Sequence, residues 1–157
     1  MKIRSPLPPD REAIAALITE GPFRPEEITC ALELLDAALG RADTYESLIV
    51  EDDAAGVPAP LGYVCFGATP MTEATFDVYW IVVAPRARGR GLGRALLAET
   101  ERVLADRGAH TIRIETSSLE GQGGARRFYE KTGFRLAGAI PDFYRKGDDL
   151  LVFAKEL

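Results

Sequence analysis

The sequence of 157 residues predicts an α/β domain, in which a mixed β-sheet carries helices on both faces. Stretches with apolar residues at helical spacing alternate along the chain with short runs of β-branched and aromatic residues. The run TFDVYWIVV at 75–83 is apolar on both faces, which is typical of a central strand. No repeat or linker interrupts the chain, so residues 1–157 are predicted to form one domain.

The first half of the chain carries two helical and two strand patterns. Proline near the start and glycine at the end of each helical pattern are the usual limits of a helix. The strand patterns flank a loop at 52–60 that is rich in alanine, glycine and proline, so we expect them to pair. The predicted elements are a helix from Pro9 to Gly21, a helix from Pro25 to Gly40, and strands at Tyr45–Glu51 and Leu61–Gly67.

The second half alternates strands and helices and ends in a hairpin. Leu92, Leu96 and Val103 share one helical face, and Gly108 supplies a C-terminal stop. A glycine-rich loop at 121–124 precedes a short helix, and Lys146-Gly147 predicts the closing turn. The predicted elements are a central strand Thr75–Val83, a helix Gly91–Arg107, a strand Thr111–Thr116, a helix Ala125–Thr132, and strands Phe134–Ile140 and Leu150–Ala154.

Composition and charge narrow the functional class. Apolar residues make up 46% and charged residues 27% of the chain, which is typical of a globular protein. No apolar run approaches the ~20 residues that span a bilayer, so we expect no membrane association. Residues 1–80 carry 14 acidic and five basic side chains, which argues against a nucleic-acid partner. Basic residues prevail in the second half, which favours an anionic ligand there, beside a cationic partner held by the first half.

The cysteine and histidine residues indicate where in the cell the protein is located and whether it binds a metal. Cys30 and Cys65 form no C-x-x-C pair and are expected to be reduced thiols. The first residues lack the apolar stretch of a signal peptide, so we expect a cytoplasmic protein. With His110 as the single histidine, no metal site is predicted.

The segment Ile81–Arg94, IVVAPRARGRGLGR, carries the strongest functional signal. It runs from a buried strand, through a loop with arginines and alternating glycines, into a helix. Glycines let the backbone approach a ligand closely, and the first helical turn offers N–H groups that have no internal partner. Those donors, the helix dipole and the arginines together predict a phosphate site.

Two common phosphate loops do not fit this segment. A P-loop requires Gly-Lys followed by Ser or Thr, and the dinucleotide fingerprint requires G-x-G-x-x-G. Here the glycines fall at every second position, so the last fingerprint position is Arg94 when counted from Gly89 and Leu96 when counted from Gly91. We therefore expect a different phosphorylated ligand.

The stretch Arg88–Gly93 resembles the [QR]-x-x-G-x-[GA] signature of the GNAT superfamily of acyl-CoA-dependent N-acyltransferases. The resemblance implies the GNAT fold, with a mostly antiparallel central sheet of about six or seven strands, and acetyl-CoA as co-substrate. The main chain of Ile81, Val82 and Val83 would then bind the pantetheine arm. The diphosphate would be bound by Arg88, Gly89, Arg90, Gly91, Leu92, Gly93 and Arg94.

A second segment, ARRFYEKTGF at 125–134, resembles the A-x-x-F-Y-E-x-x-G-F segment of the same family. The resemblance implies that Tyr129 contacts the cofactor and is the general acid that protonates the departing thiol. A phenol with a pKa of ~10 stays protonated at neutral pH, which suits that role. Where the family often has Asn, three positions before the alanine, this chain has Gln122, which we include among the cofactor-binding candidates.

Two carboxylates are candidates for the general base. Glu115 matches the base position of the family's ribosomal-protein N-terminal-alanine branch, with two extra residues before Tyr129. Asp77 lies 11 positions before Arg88, where the histone-acetylating branch has a glutamate. The resemblance also implies that the N–H of Val83 polarises the thioester oxygen, at a point where its strand is expected to splay.

The resemblance predicts an N-acetyltransferase that moves an acetyl group from acetyl-CoA to a primary amine by direct attack in a ternary complex. The alternative is a non-catalytic acyl-CoA-binding regulatory module. The acceptor, a small-molecule or peptide amine, is left open, and Tyr144, Asp148 and Asp149 are candidates for holding it. Homodimers are common in the family, so a homodimer is left open as well.

Overall fold

The computed structural model describes residues 1–40, 44–52, 59–119 and 124–157, and these form four α-helices, two short 3-10 helices and seven strands. The α-helices are α1 (Arg11–Glu20), α2 (Pro25–Leu39), α3 (Leu92–Ala105) and α4 (Gly124–Lys131). The strands are β1 (Lys2–Arg4), β2 (Glu46–Glu51), β3 (Pro60–Ala68), β4 (Thr75–Val83), β5 (Thr111–Ser117), β6 (Arg135–Arg145) and β7 (Asp148–Glu156).

The strands of the described residues belong to one sheet in the order β1-β2-β3-β4-β5-β7-β6. The β4–β5 pair is parallel, and the other neighbouring pairs are antiparallel. β4, which the sequence places at the centre because both its faces are apolar, is the fourth of the seven. The prediction of a mixed, mostly antiparallel sheet is confirmed.

Helices cover both faces of the sheet around β3. Consecutive residues from Gly62 to Gly67 are buried, and because successive side chains of a strand point to opposite faces, both faces are covered. α1 packs on β3 and β4, and α3 packs on β2, β3 and β4. A Cβ placed on Gly62 would lie only 3.0 Å from Leu96 Cδ1, so α3 approaches this strand closely.

The helices bury the residues that their spacing predicts. Gly108, with φ +81, follows α3 as the expected stop. Glu99, which lies on the apolar arc of α3, is accommodated because its carboxylate bonds to Arg102 Nη2 at 2.7 Å. The buried positions are Ile14, Leu17 and Ile18 in α1, and Leu92, Leu96, Leu97, Thr100 and Leu104 in α3.

Strand β1 was not predicted, because three residues are too few to show an alternating pattern. It pairs with β2 at one edge of the sheet. Arg4 holds it there by donating to Asp10 Oδ2 at 2.7 Å and by pairing with Glu51. The hydrogen bonds from Arg4 lower the pKa of Asp10.

The closing hairpin is longer than predicted. β6 continues past Ile140 to Arg145, and β7 begins at Asp148 rather than at Leu150. The sequence did not show this extension, because every residue of β6 is exposed and its pattern has no buried face. The predicted turn at Lys146-Gly147 is confirmed, with Gly147 at φ +82.

Replacing Leu96 by alanine should lower the free energy of unfolding by about 3 kcal/mol, because the change removes buried methyl groups and leaves a cavity beneath the sheet. Leu96 is fully buried. The matched control is Leu136→Ala on the exposed face of β6, which should cost less than about 1 kcal/mol. Urea denaturation followed by circular dichroism measures both. Equal losses in the two variants would contradict this account of the core.

Candidate active site

The main cleft begins where strands β4 and β5 part. Their parallel register runs from Thr75 opposite Thr111 to Val78 opposite Ile114. Beyond it, β4 continues through 79–83 and β5 through 115–117, with no further pairing between these described segments. Tyr79 is an extra residue against β3, between Val78 and Trp80, and such a bulge bends a strand. The gap widens into a cleft of about 900 Å³.

The main chain of β4 faces this gap at alternate residues. Ala84 N–H donates to Leu61 O at 2.8 Å, next to the Val83–Gly62 pair. Because hydrogen-bonded and non-hydrogen-bonded pairs alternate in an antiparallel ladder, Val83 is in a non-hydrogen-bonded pair and Ile81 in the next one. The N–H and C=O groups of Ile81 and Val83 therefore point away from β3, toward the cleft. Ile81, Val82 and Val83 all line it.

At one end of the cleft a glycine-bearing turn leads into α3. Gly89 and Gly91 have φ +75 and +76, a left-handed conformation that strains other residues, and Gly91 is the N-cap of the helix. A Cβ on either glycine would meet no atom within 4 Å, so the space above this turn is open. Six of the predicted diphosphate residues line the cleft here, namely Arg88, Gly89, Gly91, Leu92, Gly93 and Arg94.

Arg90 and Gln122 differ from the other cofactor-binding candidates. Arg90 is not among the residues that line the cleft, and its guanidinium pairs with Asp52 in the segment after β2. Gln122 lies outside the described residues. A role for either in cofactor binding stays a prediction.

Tyr129 lines the cleft and is 7% exposed. Its ring contacts those of Phe128, Phe134 and Phe153, with centroids 5.5, 5.9 and 5.5 Å away. Phe134 N–H donates to Tyr129 O at 3.0 Å, which ties the end of α4 to the start of β6. These aromatic contacts restrict the orientation of the Tyr129 ring.

The two base candidates have different environments. Asp77 is 6% exposed, and its carboxylate accepts hydrogen bonds from Arg113 Nε at 2.6 Å and from Thr69 Oγ1 at 2.9 Å. Glu115 has a side chain 45% exposed and lies 3.5 Å from Arg113 Nη1. Both line the cleft, but both oxygens of the buried Asp77 carboxylate accept hydrogen bonds, whereas Glu115 is partly exposed.

The cleft also contains a second tyrosine, at the bulge of β4. Burial raises the pKa of Tyr79 to about 12, and the charge of Asp77 adds to the effect. The phenol of Tyr79 therefore stays protonated at neutral pH and can donate a hydrogen bond, but it cannot serve as a base.

The other end of the cleft is built from the start of α2, from β4 and from the hairpin. Phe23 and Trp80 pack edge to face with centroids 5.2 Å apart, and the Arg24 guanidinium lies 5.2 Å from the centroid of the Tyr144 ring. These elements are distant in sequence, and no motif marks them. The residues of this end that sequence reasoning missed are Phe23, Glu26, Glu27, Cys30, Tyr79 and Arg113.

The three hairpin candidates for holding the acceptor have separate positions. Tyr144 lines the cleft. Asp148 is 2% exposed and pairs with Arg24 at 3.2 Å and with Ser117. Asp149 accepts a hydrogen bond from Asp142 N–H at 2.9 Å. Asp148 therefore ties α2 to the hairpin, and Tyr144 is the member of this trio that a ligand in the cleft would meet.

Two further features of the described residues concern metals and membranes. Within the described ranges, no three His, Cys, Asp or Glu side chains stand close enough to hold a metal ion. Among the helices formed by the same residues, none has the length and apolar surface needed to cross a bilayer.

The sheet opens between two parallel strands, with a glycine turn and a helix N-terminus at one end of the cleft and carboxylates toward the other. A helix N-terminus favours an anionic group. The family model described as Acetyltransferase (GNAT) family matches residues 12–134. The chain belongs to this family, whose general reaction is acetyl transfer to an amine.

Similar proteins carry acetyltransferase names. A GNAT-family protein from Desulfovibrio desulfuricans is 38% identical, with a TM-score of 0.88 over 99% of this chain and 98% of that one. An aminoglycoside 6'-N-acetyltransferase complexed with coenzyme A shares the fold at 20% identity, with a TM-score of 0.79 over 99% and 97%. These findings support an acyltransferase enzyme.

A curated relative gives a shorter alignment. Blasticidin-S acetyltransferase from Streptomyces morookaense is 37% identical over 82 residues, which cover 52% of this chain and 55% of that protein. The match thus spans about half the length of that relative.

The two cysteines should differ in reactivity. Burial raises the pKa of the Cys65 thiol to about 11, so it stays protonated at pH 8, whereas Cys30 is exposed in the cleft. Because the thiolate is the reactive form, an aromatic disulfide reagent should titrate one thiol rapidly in the folded protein and a second only after denaturation. The Cys30→Ser variant should lack the rapid phase. Two rapid thiols in the folded wild type would contradict the burial of Cys65.

Proposed function

We propose that this protein is an N-acetyltransferase that transfers an acetyl group from acetyl-CoA to a primary amine by direct attack in a ternary complex. One observation carries the proposal: the outward-facing main chain at the end of β4 leads directly to the open glycine turn at the start of α3. The open edge of β4 suits the thioester arm of acetyl-CoA, and the glycine turn that follows suits its diphosphate.

The residues at this end of the cleft fit coenzyme A. Main-chain groups of Ile81 and Val83 can pair with the amides of a pantetheine arm, as an added strand would. Amides at the start of α3, together with Arg88 and Arg94, suit a diphosphate, since a helix N-terminus and guanidinium groups both favour anions. Bound acetyl-CoA supplies an activated acyl group with a thiolate as the leaving group.

Attack of an amine on the thioester carbon requires a polarised carbonyl and protonation of the leaving thiol. The N–H of Val83 faces the cleft, which supports the proposal that it polarises the thioester oxygen. A thiol with a pKa of ~8.5 leaves readily, so a weak acid suffices to protonate it. Tyr129, fixed by its aromatic neighbours, is the proposed acid, because a tyrosine keeps its proton at neutral pH until sulfur departs.

Glu115 is the better candidate for the base. Both carboxylate oxygens of Asp77 already accept hydrogen bonds from Arg113 or Thr69, so Asp77 is poorly placed to take a proton. Glu115 is more exposed within the cleft and can accept the proton of the amine, directly or through a water molecule. We therefore assign Asp77 a structural role.

The acceptor is proposed as a small-molecule or peptide amine that enters from the side of α2 and Tyr144. Glu26, Glu27 and Glu115 line this side, which favours a protonated amine on approach. The relatives named for blasticidin S and for aminoglycosides suggest small-molecule amines as first probes. The cytoplasm, where thiols stay reduced, is the proposed location, since Cys30 and Cys65 are free. A homodimer stays a prediction of the family resemblance.

Coenzyme A should bind the purified protein, and Gly91→Ala should weaken its binding about tenfold, because a left-handed alanine shifts the turn that holds the diphosphate. Gly108→Ala is the matched control, since Gly108 has a similar φ of +81 at the far end of α3. Both variants should lose about 1 kcal/mol of stability, but only the first should lose affinity. Titration calorimetry checks this, and no binding at millimolar coenzyme A would refute the site.

Tyr129→Phe should lower kcat about 100-fold and leave coenzyme A affinity unchanged, because the phenol acts on the leaving thiol and not on binding. Thiol release from acetyl-CoA is measured with a panel of amines: spermidine, kanamycin, blasticidin S, lysine and a peptide with an N-terminal alanine. Tyr45→Phe, outside the cleft lining, is the control. Coenzyme A binding without turnover on any amine would favour the non-catalytic acyl-CoA-binding module instead.

A further inference from the structure

Arg113 lies next to the point where the two parallel strands part. It stands opposite Asp77 in the register, one pair before the last. Its Nε donates to Asp77 Oδ1 at 2.6 Å and its Nη2 to Oδ2 at 3.1 Å. Thr69, held in turn by the bond from its N–H to Thr75 O at 2.9 Å, donates through Oγ1 to the same carboxylate. The plane of the guanidinium is therefore fixed from one side.

The remaining nitrogen of Arg113 points to the proposed base. Nη1 lies 3.5 Å from Glu115 Oε1. Arg113 and Glu115 are two residues apart on β5, so their side chains leave the same face of the sheet. An arginine can contact two carboxylates at once, because its five donors form a rigid planar fork, which a lysine lacks.

We propose that Arg113 is a positioning residue for Glu115: anchored by Asp77, it holds the Glu115 carboxylate where the acceptor amine arrives. The inference rests on the proposed function, in which Glu115 is the base. A glutamate at the rim of a cleft samples many rotamers, and only some of them bring its carboxylate to the amine. Arg113 itself moves no proton, since a guanidinium stays protonated. It engages one oxygen of Glu115 and leaves the other for the amine or a relay water.

This chain of contacts also gives Asp77 a function other than that of a base. Asp77 faces a cation across the strand pair, and its hydrogen bonds raise the pKa of Arg113. Without that buried carboxylate, the guanidinium would be free to turn toward solvent, since its side chain is 40% exposed. Thr69 therefore positions Asp77, Asp77 positions Arg113, and Arg113 positions Glu115.

A double-mutant cycle tests the proposal, with the fastest amine of the panel as acceptor. Arg113→Gln should lower kcat about tenfold, and Glu115→Gln about 100-fold. In the Glu115→Gln background, Arg113→Gln should have no further effect on kcat, because its action passes through Glu115. Coenzyme A affinity and the KM for acetyl-CoA should stay within about twofold of wild type in all variants. Arg113→Lys should resemble Arg113→Gln, since an ammonium cannot span both carboxylates.

Controls separate folding from function. Arg102→Gln removes an exposed arginine with carboxylate partners on the outer face of α3 and should leave kcat unchanged. If Arg113→Gln alone does not fold, because Asp77 is left buried without its partner, the pair Asp77→Asn with Arg113→Gln removes both charges and should show the same non-additive loss.

Three results would overturn the proposal. Losses that multiply in the double variant would show that Arg113 acts on the substrate itself. An unchanged kcat in Arg113→Gln would show that Glu115 needs no positioning, while leaving the proposed function standing. A wild-type protein that binds coenzyme A but acetylates no amine of the panel would contradict the proposed function, and the inference with it.

Discussion

The parting of β4 from β5 after Val78 and Ile114 is the constraint on which the rest of the structure depends. Main-chain groups inside a protein are almost always paired, so a sheet that opens at its centre needs either solvent or a ligand in the gap. The bulge at Tyr79 starts the bend, and antiparallel pairing with β3 continues to Val83 on the other side of β4. As a result, residues 80–83 of β4 are paired with β3 on one edge and unpaired with β5 on the other.

The elements around this gap place a helix N-terminus and a tyrosine beside the open edge of β4. Gly93 sits where α3, β4 and α4 meet, since a Cβ there would lie 3.4 Å from Phe128 Cζ and 3.5 Å from Val83 Cγ2. The close approach brings the start of α3 next to the end of β4, and Tyr129 follows Phe128 on α4. A ligand that lies along β4 therefore reaches the helix N-terminus and the tyrosine together. The left-handed backbone at Gly91 is a further requirement of the same turn.

Charge is distributed along the cleft in two regions. Arg88 and Arg94 lie at the glycine turn, whereas Glu26, Glu27 and Glu115 lie toward the hairpin. The buried carboxylates near the cleft are paired: Asp77 with Arg113, and Asp148 with Arg24. The second pair joins α2 to the β6–β7 hairpin across 124 positions of sequence. Such pairs fix the walls of the cleft, because breaking one of them would leave a buried charge without its partner.

The sequence by itself determined the elements other than β1 and the extension of the closing hairpin, the central place of β4, and the segments that carry the family signatures at 88–93 and 125–134. These features depend on neighbours along the chain: apolar spacing, capping glycines and short motifs. Only the tertiary structure decided that Arg90 turns to Asp52, that Asp77 faces Arg113, and that α2 supplies one wall of the cleft. Ion pairs and cleft walls follow from strand register and helix packing, which join residues that no local pattern connects.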